Sequence, residues 1–284
     1  TIHIYRRSSR VGDVVSNFSD FISSGGGGSL PVNIVLTESQ TWVPPVDGNI
    51  CIHVIGGGGA GQSGTSLYRG GGAGGYCKKN SLAVTTSGSF TVVVGAGRNG
   101  KEGDWSSASD GAGGASTVSG TGLSATLTAN GGTGASGSNY GAGGTASGGD
   151  VNNTGGEAAF AGGGAVGIYG TGQSGDNNDT YRAGSCDAQG PESLIGYGQI
   201  FGGKGGLRCS PGTSGENYTL GAHSLDGGFL SGGASLYASQ NQDSPTGGNG
   251  GIGGGGGGCR NNVSGRYRSG SGGDGIVIIQ YLPA

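Results

Sequence analysis

Short apolar runs of β character mark both ends of the chain, and a long polar, glycine-studded stretch separates them. Residues 32–36, Val-Asn-Ile-Val-Leu, read as one strand. Residues 50–55, Ile-Cys-Ile-His-Val-Ile, alternate well enough for a second. Residues 76–84 and 89–97 give two more, joined by Thr85-Thr-Ser-Gly88, and residues 115–127 hold shorter alternating Thr, Val, Ser and Leu segments. The last run, Ile276-Val-Ile-Ile-Gln-Tyr-Leu282, has the pattern of a buried strand whose natural partners are the early ones. Residues 41–48 read as a connection with a tight turn at Asp47-Gly48, and Trp42 as a cap on the adjacent core. The fold class expected is all-β: a small antiparallel β-sandwich closed by the C-terminal strand. A glycine-rich body, chiefly residues 130–275, is expected to be inserted between the β elements.

Residues 1–29 stand apart. Val11, Val14, Val15, Phe18 and Ile22 have helical spacing, and residues 23–29, Ser-Ser-Gly-Gly-Gly-Gly-Ser, have linker composition. The division predicted is an arm over residues 1–29, for attachment, oligomerisation or docking on its own domain, and one domain over residues 30–284.

Composition changes the picture most through glycine, 75 of 284 residues. There is no strict Gly-X-Y period, which excludes collagen. Runs such as residues 56–59, 70–75 and the six glycines of 253–258 suit neither an ordinary helix nor a strand, because glycine loses the most backbone entropy and packs no side chain. The loops between runs are varied and rich in Tyr, Asn, Asp and Arg, unlike linker filler. The runs are therefore read as a bundle of polyglycine-II helices with three residues per turn, side by side, whose N–H groups bond neighbouring segments.

Charge is sparse, 14 Lys and Arg against 17 Asp and Glu, which gives no electrostatic footprint for nucleic acid. No apolar run approaches the ~20 residues of a spanning helix, and the opening residues lack the apolar core of a signal peptide. No membrane insertion is expected. The five cysteines (51, 77, 186, 209, 259) include no Cys-x-x-Cys, and His3, His53 and His223 are scattered, so zinc is not predicted. Reduced thiols are expected, with a Cys186–Cys209 pair as the alternative. Asp176-Asn-Asn-Asp179 offers oxygen ligands, but calcium needs six to eight in order, and a solvated loop is the simpler reading. Residues 56–61 match G-x-G-x-x-G after a strand, but no helix can follow and Lys78 and Lys79 stand where an acid should be. No catalytic constellation, cofactor or metal is expected.

The chemistry is instead expected in the loops. Tyr with Ser, Gly and Asn gives amphipathic contact area at low entropic cost. The candidate binding residues are Tyr68, Arg69, Tyr140, Tyr169, Tyr181, Arg182, Tyr218, Tyr237, Arg260, Arg266, Tyr267 and Arg268. For each tyrosine the plain alternative is a lid on a glycine interior that has no side chains of its own.

Trp42-Val-Pro-Pro-Val-Asp-Gly-Asn-Ile-Cys-Ile-His-Val-Ile-Gly-Gly-Gly-Gly-Ala-Gly resembles the opening of the glycine-rich domain of bacteriophage tail fibre and tail tip proteins. Residues 70–76, the Phe90-Thr-Val-Val-Val-Gly-Ala-Gly strand and Gly272-Gly-Asp-Gly-Ile-Val-Ile-Ile-Gln-Tyr resemble its later elements, although Arg98 replaces a common glycine. Residues 40–281 carry the likeness. Its order of motifs is specific, whereas each motif alone is not. The glycine-rich domain of anaplastic lymphoma kinase receptors is similar in its glycine layout. The resemblance implies a non-enzymatic virion protein made in the host cytoplasm, a tail fibre or tip component. Its loops would bind a host surface receptor, a glycan or an outer-membrane protein. It implies other tail proteins as partners, with a homotrimer among the possible assemblies. An architectural fibre or decoration subunit, and a secreted cellular ligand-binding domain, are the alternatives.

Overall fold

The computed structural model describes residues 33–64, 69–102, 111–164, 170–175, 232–233, 236–238, 246–261 and 267–282, with backbone alone for 236–238, 260 and 261. The arm over residues 1–29 lies outside them. Among the described residues there is no helix.

The strands are β1 (Asn33–Leu36), β2 (Gln40–Trp42), β3 (Gly48–Ile55), β4 (Ser63–Gly64), β5 (Tyr76–Val84), β6 (Phe90–Val93), β7 (Ser116–Gly120), β8 (Leu127–Ala129), β9 (Ala146–Ser147), β10 (Val151–Asn153), β11 (Leu236–Ala238), β12 (Cys259–Asn261) and β13 (Ile276–Tyr281). They form two five-stranded antiparallel sheets, in the orders β1-β13-β3-β5-β10 and β2-β6-β7-β8-β9. The C-terminal strand lies between β1 and β3, with Ile278 opposite both Val35 and His53. A short parallel sheet, β11-β12-β4, stands apart.

One core joins the two large sheets. Ile50, Ile52, Val54, Val277 and Ile279 from the first pack with Phe90, Val92, Val118 and Leu127 from the second. Complete burial of each such side chain is worth roughly 1.5–3 kcal/mol. The period-two pattern of β6, with Phe90 and Val92 buried and Thr91 and Val93 exposed, selects its inner face. A bulge opposite the Ile50–Ile52 step lets Cys77 and Leu82 face the same core although they are an odd number of residues apart. Trp42 is buried against Phe90, ring centroids 5.5 Å apart, as expected of a core cap. It belongs to a strand, β2, rather than to the expected connection.

Among the described residues the glycine segments are not confined to a body inserted after residue 130. They begin at residue 56 and continue the strands: β3 runs into 56–61, 70–75 into β5, 111–115 into β7, β8 into 130–135, and 270–275 into β13. The strands pass into glycine rods where their side chains vanish.

Within the rods the hydrogen bonding repeats every three residues. Gly56 and Gly59 donate to 75 and 72, Gly57 and Ala60 to 114 and 111, and Gly58 and Gly61 to 273 and 270, at 2.8–3.0 Å. The 70–75 rod repeats the pattern. Gly70 and Ala73 donate to 159 and 156, Gly71 and Gly74 to 256 and 253, and Gly72 and Gly75 to 133 and 130. Residues 57–60 also accept, in order, from Gly132, Arg98, Gly256 and Ala135. That rod is therefore surrounded by six others, three accepting from it and three donating to it. Such backbones approach too closely for a Cβ, and this is what requires glycine there.

Candidate functional site

The strands and rods put the connections into two groups. Turns at residues 43–47, 85–89, 121–126 and 148–150 join strands at the sandwich end. The rods open at the other end, and there the structure brings residues 62, 69, 101–102, 136–140, 160, 259 and 267–269 together through backbone contacts. Gln62 bridges Arg69, Glu102 bridges Arg268, and Ser136 bridges Asn139. Cys259 N–H donates to the Gln62 carbonyl at 3.0 Å, and Ser269 N–H to that of Lys101 at 3.0 Å.

Arg69 and Tyr140 meet there. The Arg69 guanidinium carbon stands 4.5 Å from the centre of the Tyr140 ring, and Arg69 Nε–H donates to the Gly137 carbonyl at 3.4 Å. Such a cation–π contact is worth roughly 0.5–2 kcal/mol. Phe160, which sequence reasoning passed over, meets Tyr140 edge to face with centroids 6.0 Å apart. A lone Phe between the alanines of 158–161 was the available signal: it lies where a rod should carry no bulk. All three side chains are half-buried.

The other candidates divide. Arg260 pairs in register with Tyr237 on one side and Gly64 on the other, so two candidates are adjacent along the backbone. Arg268 is exposed, with Nε and Nη2 donating to the Gly100 carbonyl at 3.4 and 3.3 Å. Tyr267 departs from the expectation of a loop tyrosine open to ligand. It is only 4% exposed and packs with Cys259, because the backbone turns it under the rods while its neighbour points out. It acts as a lid. Tyr68, Tyr169, Tyr181, Arg182, Tyr218 and Arg266 lie outside the described residues, as do the Asp176–Asp179 ligand set, Cys186, Cys209 and His223.

Two further arrangements bear on chemistry. Every N–H of residues 56–61 is bonded to another rod, so the G-x-G-x-x-G stretch presents no array of free donors to a phosphate. Cys51 Sγ lies 3.3 Å from His53 Nε2, and Tyr76 Oη lies 2.7 Å from His53 Nδ1. Burial pushes the Cys51 thiol up to about 11 and the imidazole down to about 3, with Lys78 lowering both. The pair is thus a neutral thiol and a neutral imidazole inside a sheet, not the thiolate that nucleophilic chemistry needs. Burial likewise pushes Cys259 up to about 12. Among the described residues no three His, Cys, Asp or Glu side chains gather as a metal site would require.

No curated protein matches the chain. The model of a glycine-rich domain matches residues 34–282. That span takes in both large sheets, from the second residue of β1 to just beyond β13, together with the rods. By fold, rod pattern and match, the chain belongs to the glycine-rich domain family.

Proposed function

We propose that the chain is a non-enzymatic virion protein, a phage tail fibre or tip component, whose Tyr, Asn and Arg side chains bind a host surface receptor. In this reading the rods are polyglycine-II helices. Their role is to consume backbone donors and acceptors internally, so that side chains are needed only where the rods open. The observation that carries the reading is the gathering of Arg69, Tyr140, Arg268 and the Tyr237–Arg260 pair at that one end, opposite the sandwich. Aromatic and arginine side chains on a rigid frame are the usual anchors of recognition surfaces. The receptor is a glycan or an outer-membrane protein, and the working location is the virion tail.

The test is adhesion of the fluorescently labelled full chain to a panel of bacterial cells, beside variants with residues 136–140 or 262–266 replaced by Gly/Ser. The reading expects binding to some strains, lost on loop replacement with the melting temperature kept. Binding to no strain, or binding indifferent to both replacements, would count against it and favour a subunit that packs on its neighbours. Hydrolysis of a surface polysaccharide would overturn it outright.

A further inference from the structure

Arg69, Tyr140 and Phe160 are set by the lattice rather than by flexible loops. Each is flanked by a rod bond: Gly70 N–H to the Ala159 carbonyl at 2.7 Å, Gly141 N–H to that of Gly70 at 3.1 Å, and Gly258 N–H to that of Phe160 at 3.1 Å. The backbone at all three is thus fixed before any ligand arrives, and the Arg69–Tyr140 and Tyr140–Phe160 contacts hold the side chains together, which removes part of the ordering cost of binding. The turn between Ser136 and Asn139, with Gly137 at φ 54°, closes one side and supplies the carbonyl that holds Arg69 Nε.

The guanidinium at this site has no carboxylate partner, and its two terminal amino groups have no partner among the described residues. Held by Nε and by the ring beneath it, the group keeps a free outer edge of parallel N–H donors. That edge matches the two oxygens of a carboxylate or phosphate, a geometry lysine cannot reproduce. Beside it are Tyr140, whose ring carries the guanidinium, and Phe160, which meets that ring edge to face; both are half-buried and give the carbon skeleton of a sugar apolar neighbours.

The geometry points to a binding site for an anionic saccharide, its acidic group on the outer edge of Arg69 and its ring against Tyr140 and Phe160. This rests on the receptor reading above and names the ligand class for one part of that surface. It also separates this cluster from Arg268, whose guanidinium is tied to the Gly100 carbonyl.

The experiment titrates the full chain with methyl glucuronide, methyl glucoside and glucose 6-phosphate, read by calorimetry or by chemical shifts. At least one of the two anions is expected to bind tenfold or more tighter than the neutral glucoside, and the better one identifies carboxylate or phosphate as the natural group. Arg69→Gln is expected to bring the anion down to the level of the glucoside. Arg69→Lys, which keeps the charge and loses the fork, should recover less than half of the lost preference. Tyr140→Ala should weaken all three. Equal binding of charged and neutral sugars, or an Arg69→Gln variant that binds as wild type does, overturns the proposal. If cells bind wild type and Arg69→Gln equally, the saccharide site fails while the receptor reading stands. If the glucuronide binds but no cell does, the receptor reading fails and the site stands.

Discussion

Gly255 and Gly71 touch backbone to backbone: a Cβ on Gly255 would fall inside the Gly71 carbonyl, with the Gly72 oxygen 2.9 Å away. Neither partner is the end of a flexible side chain, so nothing can yield cheaply. Gly255→Ala is expected to cost more than the ~1–3 kcal/mol of ordinary overpacking, with a correspondingly large fall in the denaturation midpoint. Gly137 is the control. It has φ 54°, and a Cβ added to it would meet nothing within 4 Å. Gly137→Ala should cost only the ~1–2 kcal/mol of a left-handed backbone, and Gly137→Asn less. Equal losses at 137 and 255 would mean that the rods are not close-packed.

His53 predicts an acid dependence. Its imidazole is held neutral down to about pH 3, below its usual value of 6.5, by burial first and by Lys78 second, against a hydrogen bond with the Gln280 side chain that favours the charged form. The groups around it are Cys51, Tyr76, Lys78 and Gln280. Between those two pH values the unfolded chain binds a proton that the folded chain refuses. The His53 contribution is therefore complete above 6.5 and falls as the pH drops towards 3, with a slope approaching ~1.4 kcal/mol per pH unit. Urea titrations of wild type and His53→Gln from pH 7 to 3 should differ in slope by up to that amount. Parallel curves would refute a buried neutral His53.

The described thiols predict protection. Cys51, Cys77 and Cys259 are buried, and burial raises all three. Thiolate is the reactive form, so native protein at pH 8 should leave these three unlabelled by iodoacetamide within the time that denatured protein takes to label fully. Peptide mapping checks each site. Rapid native labelling of Cys51 would show that the first sheet opens on that timescale.

Tyr281 secures the closing strand. Its hydroxyl donates to the Val46 carbonyl at 3.0 Å, joining the end of β13 to the turn before β3. Tyr281→Phe removes that bond without removing the ring, and should cost about 1 kcal/mol. A thermal melt is sufficient to read it, and an unchanged midpoint would mean that water replaces the bond at no cost.

Much of the sandwich was legible because side chains report their own face. Phe90 and Val92 sort from Thr91 and Val93 by period two, the closing Ile-Val-Ile-Ile run reads as a buried strand, and the structure agrees on both. β2 was not legible, since Pro44-Pro45 soon after it gives the stretch the composition of a turn. The rods were legible as a material but not as an arrangement. Nothing in Gly58 tells it to bond Gly273, because glycine has no side chain in which to carry that information. The same absence hid the boundary at residue 56. At the open end, Arg69 and Tyr140 were legible as candidates but not as partners, 71 positions apart. Tyr267 and Arg268 were indistinguishable as neighbours in one polar stretch, though one is buried and the other exposed.

The threefold repeat of the rods has a kinetic consequence. A rod moved along its axis by three residues would find nearly the same donors and acceptors, so the rods cannot choose their own alignment. The strands can. A three-residue slip of β6 against β7 would turn Phe90 and Val92 out of the core and Thr91 and Val93 into it, because strand faces alternate with a period of two. Alignment is therefore decided in the sandwich and carried outward along each chain, as teeth set at one end of a zip align the rest. Folding should start where side chains are large. Val118→Ala in the sandwich is expected to slow refolding, whereas Gly137→Ala at the far end should mainly speed unfolding. The reverse pattern in stopped-flow refolding would place the nucleus in the glycine.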